Sequence, residues 1–192
     1  VSKKVTKQEK QNMSKSWCVF AVAAMVAVSA FAAEKKYGGI TPNLDKGTKV
    51  IEGAAAINVM GDDVQFQLAY GQFVADGIEL GLVAALRDDD EYMSTELGVR
   101  TEYNVIFDSA LVPFLSAGVV WADAEADDSD LDADAAVFSA GGGVKYFIRD
   151  DLALAMNGSY LVATDDIFVD TDDGEVQGDE FRILFSVGFY FD

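Results

Sequence analysis

The last stretch of the chain, residues 180–191, constrains the fold more than any other. It reads EFRILFSVGFYF. Phe181, Ile183, Phe185, Val187, Phe189 and Phe191 fall on one parity, and Glu180, Arg182, Leu184, Ser186, Gly188 and Tyr190 on the other. Successive side chains of an extended chain point to opposite faces, so this alternation is a strand with one wholly apolar face. Those six apolar groups must be buried against a protein core or against lipid.

The same rhythm recurs upstream. Strands are expected at residues 48–60, 64–74, 78–87, 92–105, 111–122, 135–147 and 152–162 as well as 180–191. Each is near the ~9–11 residues that cross a bilayer at a tilt. Ile78, Leu80, Leu82, Ala84 and Leu86 alternate with Glu79, Gly81, Val83, Ala85 and Arg87; Leu97, Val99, Thr101 and Tyr103 alternate with Glu96, Gly98, Arg100 and Glu102. Asp76-Gly77 makes a tight turn. Pro113 fits near a strand start, where its missing N–H does least harm.

Periodicity alone leaves two orientations. A soluble sandwich or a lipocalin-like barrel turns the apolar face inward; a membrane barrel turns it outward. Three features favour the second. The more polar parity is rich in Gly, Ala and Ser with a few charges of both signs, which suits a narrow lumen better than a solvated surface. Connections alternate: 75–77, the turn near Asp108 and 149–151 are short, whereas 123–134 and 163–179 are long, as in barrels with short turns on one side and longer loops on the other. Tyr103, Trp121, Tyr146, Tyr160, Phe189 and Phe191 gather near apolar-face strand ends, where aromatic girdles sit. Since lipid offers unpaired backbone groups no partner, all eight strands must close into a ring. The expected fold is all-β: an eight-stranded antiparallel up-and-down transmembrane β-barrel over residues 48–192.

The start of the chain reads as an address. Lys3, Lys4, Lys7, Lys10 and Lys15 precede an apolar run from Trp17 to Phe31, and Ala30-Phe31-Ala32 has the small-x-small cleavage pattern. Residues 1–32 are expected to be a cleaved signal peptide, with Met13 a candidate start. The run is shorter than the ~20 residues of a spanning helix, which disfavours an anchor, and Cys18 has no lipobox before it. Residues 33–47, with Gly38, Gly39 and Pro42, read as a loose lead-in.

Composition narrows function. The net charge is −19 with a pI near 4.1, so nucleic acid and anionic membrane surfaces are unsuitable partners. There is no histidine, and the single cysteine lies in the leader, so Ser-His and Cys nucleophiles and Cys/His metal sites have no components. A carboxylate pair is not excluded, yet no pocket is legible for one. The reading is non-enzymatic.

Glu79, Arg87, Glu96, Arg100, Glu102, Lys145, Glu180 and Arg182 all fall on the inward parity. They read either as the lining of a selective channel or as ion pairs that fill the lumen; an eight-stranded barrel leaves room only for side chains, which favours filling. On the outward parity, Leu82→Arg or Val99→Arg should be costly, whereas Gly98→Ala, on the inward parity, should be milder.

Segments 141–147 (GGGVKYF) and 150–154 (DDLAL) look like the penultimate hairpin of the small outer-membrane barrel family that includes the OmpA transmembrane domain and OmpX, and 113–119 (PFLSAGV) resembles its fifth strand. Phe189-Tyr190-Phe191 resembles the family's aromatic C-terminal signal, although Asp192 follows where the family ends on the aromatic. The resemblance covers about residues 48–191. It implies a bacterial outer-membrane protein, with membrane lipid and the barrel-assembly machinery as partners, and a monomer. The sequence leaves open a structural or surface-interaction role, a narrow porin-like pore, and, less favoured, a soluble secreted lipocalin-like binder.

The connections on one side of the expected barrel hold 20 carboxylates and no Lys or Arg. Asp128, Asp130, Asp132 and Asp134 recur at every second residue. They read as a solvated acidic surface or as carboxylates for a weak Ca²⁺ or Mg²⁺ site assembled from several loops, since hard cations take oxygen ligands. The spacing is not an EF-hand: Ala133 stands at the turn-glycine position and Ser139 at the position of the bidentate Glu. No other cofactor is expected.

Overall fold

A computed structural model of the chain describes residues 39–58, 64–89, 92–126, 132–169 and 176–192. The elements are β1 (Lys49–Asn58), β2 (Val64–Ala75), β3 (Ile78–Asp89), β4 (Tyr92–Asn104), β5 (Leu111–Ala126), β6 (Asp132–Arg149), β7 (Leu152–Ala163), the short β8 (Phe168–Val169) and β9 (Val176–Gln177), and β10 (Asp179–Phe191). β1 to β7 and β10 form a closed antiparallel barrel in sequence order, sealed where β1 pairs with β10. β8 and β9 make a separate two-stranded ribbon in the last connection.

Closure follows from the register. Lys49 pairs with Phe191 on one side and with Gln72 on the other, and the ladders continue round the ring without a free edge. Such closure satisfies every strand without water. Gly77 turns β2 into β3 at φ +72°, and an added Cβ there would lie 2.6 Å from the Asn104 carbonyl. That conformation and that closeness both require glycine.

The polarity of the barrel is inverted relative to a soluble protein. Phe66, Leu82 and Leu97 are 66%, 60% and 67% exposed on the outside, while Glu79 and Lys145 are 1% and 0% exposed within. A lipocalin-like barrel would show the reverse. The outer face is a lipid-facing belt, and the barrel is transmembrane in character. Tyr103, Trp121, Tyr146 and Phe189 stand exposed on it, with Phe189 stacked on Phe191 at 6.1 Å between ring centroids.

Three local expectations are revised. The 123–134 connection is largely strand: β5 and β6 run on, with Asp123 opposite Asp134 and Glu125 opposite Asp132. The Ala-Asp alternation there is itself a period-two pattern, and it extends the hairpin. The last connection also contains strand, the β8–β9 ribbon. Ile167 and Phe168 are buried there against Ala122, Ala135, Val137 and Leu161. Finally, residues 39–47 are not loose. They lie across the barrel end where β1 starts and β10 finishes, here called the termini end, with Leu44 fully buried.

Candidate functional site

The lumen is built in tiers. At the termini end, Val50, Phe73, Ala110, Val112, Phe147, Ala153 and Tyr190 form an apolar layer around Leu44. Phe73 and Phe147 flank Tyr190, with centroids 6.2 and 5.0 Å from its ring. Both phenylalanines sit where a bulge breaks the ladder before a turn, between Phe73 and Ala75 and between Phe147 and Arg149. A bulge adds a residue and re-aims the chain, which lets inward aromatics end β2 and β6.

Above that layer lies a first ionic tier. Arg100 on β4 donates to Glu52 on β1 at 2.7 Å and to Glu79 on β3 at 3.2 Å. Lys145 on β6 donates to Glu102 on β4 at 2.5 Å and stands 3.6 Å from Glu79. Its ammonium also lies 5.0 Å from the centre of the Phe114 ring. Gly71 makes room for the tier: a Cβ there would sit 2.2 Å from Glu79 Oε1.

The second ionic tier, nearer the loops, joins Arg182 on β10 to Glu96 on β4 at 3.2 Å and to Glu180 at 3.2 Å, and Arg87 on β3 to Glu180 at 3.4 Å. Between the tiers is a cavity of about 70 Å³, lined by Glu96, Arg100, Glu102 and Arg182 together with Ser116 and Asn157. One water needs roughly 10–15 Å³ of such volume, so the cavity has room for a few waters. Asn157 Oδ1 is buried with no hydrogen-bond partner among the described residues, which suits a hydrated cavity.

All eight inward charges expected from alternation are in these tiers. Glu52 was missed. The Gly-Ala-Ala-Ala run after it weakens β1, but Val50, Glu52 and Ala54 share one parity and would have revealed it. Buried charges in a low-dielectric lumen are tolerable only when paired, and each of these has a partner across a strand or across the barrel.

The acidic residues singled out for a cation are not brought together among the described residues. Asp128 and Asp130 lie outside them. Asp132 and Asp134 belong to β6, and Asp134 is exposed. Among the described residues no three metal-ligating side chains are grouped.

No protein-family model matches the sequence, and no curated protein does. Solved structures do. The N-terminal β-barrel domain of Pseudomonas aeruginosa OprF is 17% identical, with a TM-score of 0.60 over 76% of this chain and 98% of that one. The P. aeruginosa outer membrane protein OprG is 12% identical, with a TM-score of 0.54 over 79% of this chain and 99% of that one. Neisserial surface protein A is 16% identical, with a TM-score of 0.51 over 74% and 93%. The chain has the fold of the eight-stranded outer-membrane β-barrels.

Proposed function

We propose that this chain is a bacterial outer-membrane protein, exported by a leader over residues 1–32, with a structural and surface-interaction role rather than an enzymatic one. Its lumen is filled by side chains, and its acidic loops face the exterior. Lipid surrounds the belt, the barrel-assembly machinery inserts it, and it functions as a monomer. The observation that carries this reading is the stacking of an apolar layer and two ionic tiers inside one barrel, with space between the tiers for only a few waters. Ion pairs that span the lumen serve as its packing.

A narrow pore is the second reading, favoured by the charged side chains Glu96, Arg100, Glu102 and Arg182 on the wall of that cavity. Planar-bilayer recording separates the two. Wild type should conduct weakly or not at all, and Arg100→Ser with Arg182→Ser should leave Glu52, Glu79 and Glu96 short of cations, lower stability and raise conductance. Large, steady wild-type conductance would establish the pore instead.

A further inference from the structure

Residues 39–47 precede β1 and cross the termini end of the barrel. Thr41 N and Asn43 N donate to Asp150 Oδ1 at 2.9 Å and Asp150 O at 3.0 Å, in the β6–β7 turn. Lys46 N donates to Asp76 Oδ1 at 2.9 Å, and Leu44 O accepts from Gly77 N at 2.9 Å, in the β2–β3 turn. In the ring order these two turns are diametrically opposed. The segment is therefore a strap across the full width of the barrel. Leu44 is its one fully buried residue, set at the centre of an apolar layer drawn from β1, β2, β5, β6, β7 and β10. Each anchoring turn follows a bulge beside an inward phenylalanine, so both ends of the barrel's diameter are shaped alike.

The ring does not need the strap. The β1–β10 and β1–β2 ladders begin at Lys49, and Gly47 N, which donates to Phe73 O at 2.8 Å, is the strap's tie to β2 where it meets them. The hydrogen bonds from Thr41 and Lys46 to the two aspartates are exposed to solvent. An element held by one fully buried leucine, the partly buried Ile40 and a handful of turn hydrogen bonds opens at lower free energy than the ladders it rests on. We propose that residues 39–47 are a detachable stopper, which undocks from the termini end of the lumen while the barrel stays closed. Undocking uncovers the apolar layer and, behind it, the tier of Glu79, Glu102 and Lys145. The inference rests on the fold alone and holds whether or not the lumen conducts.

A thiol reporter tests it. The full chain carrying Cys18→Ser and Val112→Cys is folded in detergent and exposed to a membrane-impermeant maleimide. Val112 is fully buried in the layer around Leu44. Adding Leu44→Asp should speed labelling at least tenfold while the heat-modifiable folded band on a gel is retained; Leu44→Ala should speed it less. If Leu44→Asp alone loses the folded band, the Leu44→Ala rate decides. Unchanged labelling in the folded variants, or loss of the folded band in both, would overturn the proposal. In the second case the strap would be an integral part of the ring. Amide exchange supplies an independent reading: Asn43, Gly47 and Gly77 should exchange at least tenfold faster than β1 ladder amides, and exchange at the ladder rate would contradict undocking.

Discussion

Arg182 and Glu96 stand on β10 and β4, at opposite sides of the ring, and their side chains meet across the lumen at 3.2 Å. Both are nearly inaccessible, at 4% and 9% side-chain exposure. Removing Arg182 takes from Glu96 its partner in a low-dielectric interior, whereas Arg182 without Glu96 keeps Glu180. Arg182→Met should therefore cost about 3–5 kcal/mol in urea unfolding from lipid vesicles. Glu96→Leu with Arg182→Met should cost less than the sum of the single changes, because the pair's desolvation is removed with the pair.

Leu82 and Val99 face each other on neighbouring strands at mid-belt, 60% and 49% exposed. Either residue changed to Arg should cost roughly 2–4 kcal/mol in bilayer stability. Ser116→Ala, facing the cavity, should change stability by less than about 0.5 kcal/mol. Equal costs on the two faces would contradict the orientation.

Gly98→Ala will not be the mild change that its inward parity suggests. An added Cβ would lie 2.1 Å from the Val119 carbonyl oxygen and 2.5 Å from Val120 Cα. Backbone on a neighbouring strand must move, at a cost of about 1–3 kcal/mol in the same unfolding assay.

Gly77→Ala combines a left-handed φ with a 2.6 Å approach to the Asn104 carbonyl. It should destabilise by about 1–2 kcal/mol or more. The same substitution should also loosen the strap, since Gly77 N donates to Leu44 O. Faster exchange at Asn43 in the variant would report that coupling.

Calorimetry with Ca²⁺ at moderate ionic strength tests the acidic connections. A weak site built from Asp128, Asp130, Asp132 and Asp134 predicts a small saturable heat that falls when Asp128, Asp130 and Asp132 become Asn. No saturable heat, or the same heat in the triple variant, would leave these residues as a solvated acidic surface.

Strand positions and facing were legible because both follow from local alternation. Glu79, Arg87, Arg100, Lys145 and Arg182 are inward for the same reason that Leu82, Val99 and Phe185 are outward. What escaped the sequence depends on closure. The bulges after Phe73 and Phe147 lie where inward aromatics meet Tyr190, and no residue pattern announces them. Leu44 is one leucine in a polar, glycine-bearing stretch, and its burial exists only because two opposed turns hold the segment over the barrel end. The space at Gly98 was hidden likewise: parity says which way a Cβ points, but only packing says what it meets.

Trp121 gives the most direct test of the apolar face. It is 55% exposed on the outside of β5, and the only other tryptophan, Trp17, can be removed as Trp17→Phe. The protein is refolded into vesicles of brominated lipid and the Trp121 emission measured. A lipid-facing barrel predicts strong quenching by the brominated chains and weak quenching by aqueous iodide. Trp121 insensitive to brominated lipid but open to iodide would contradict it.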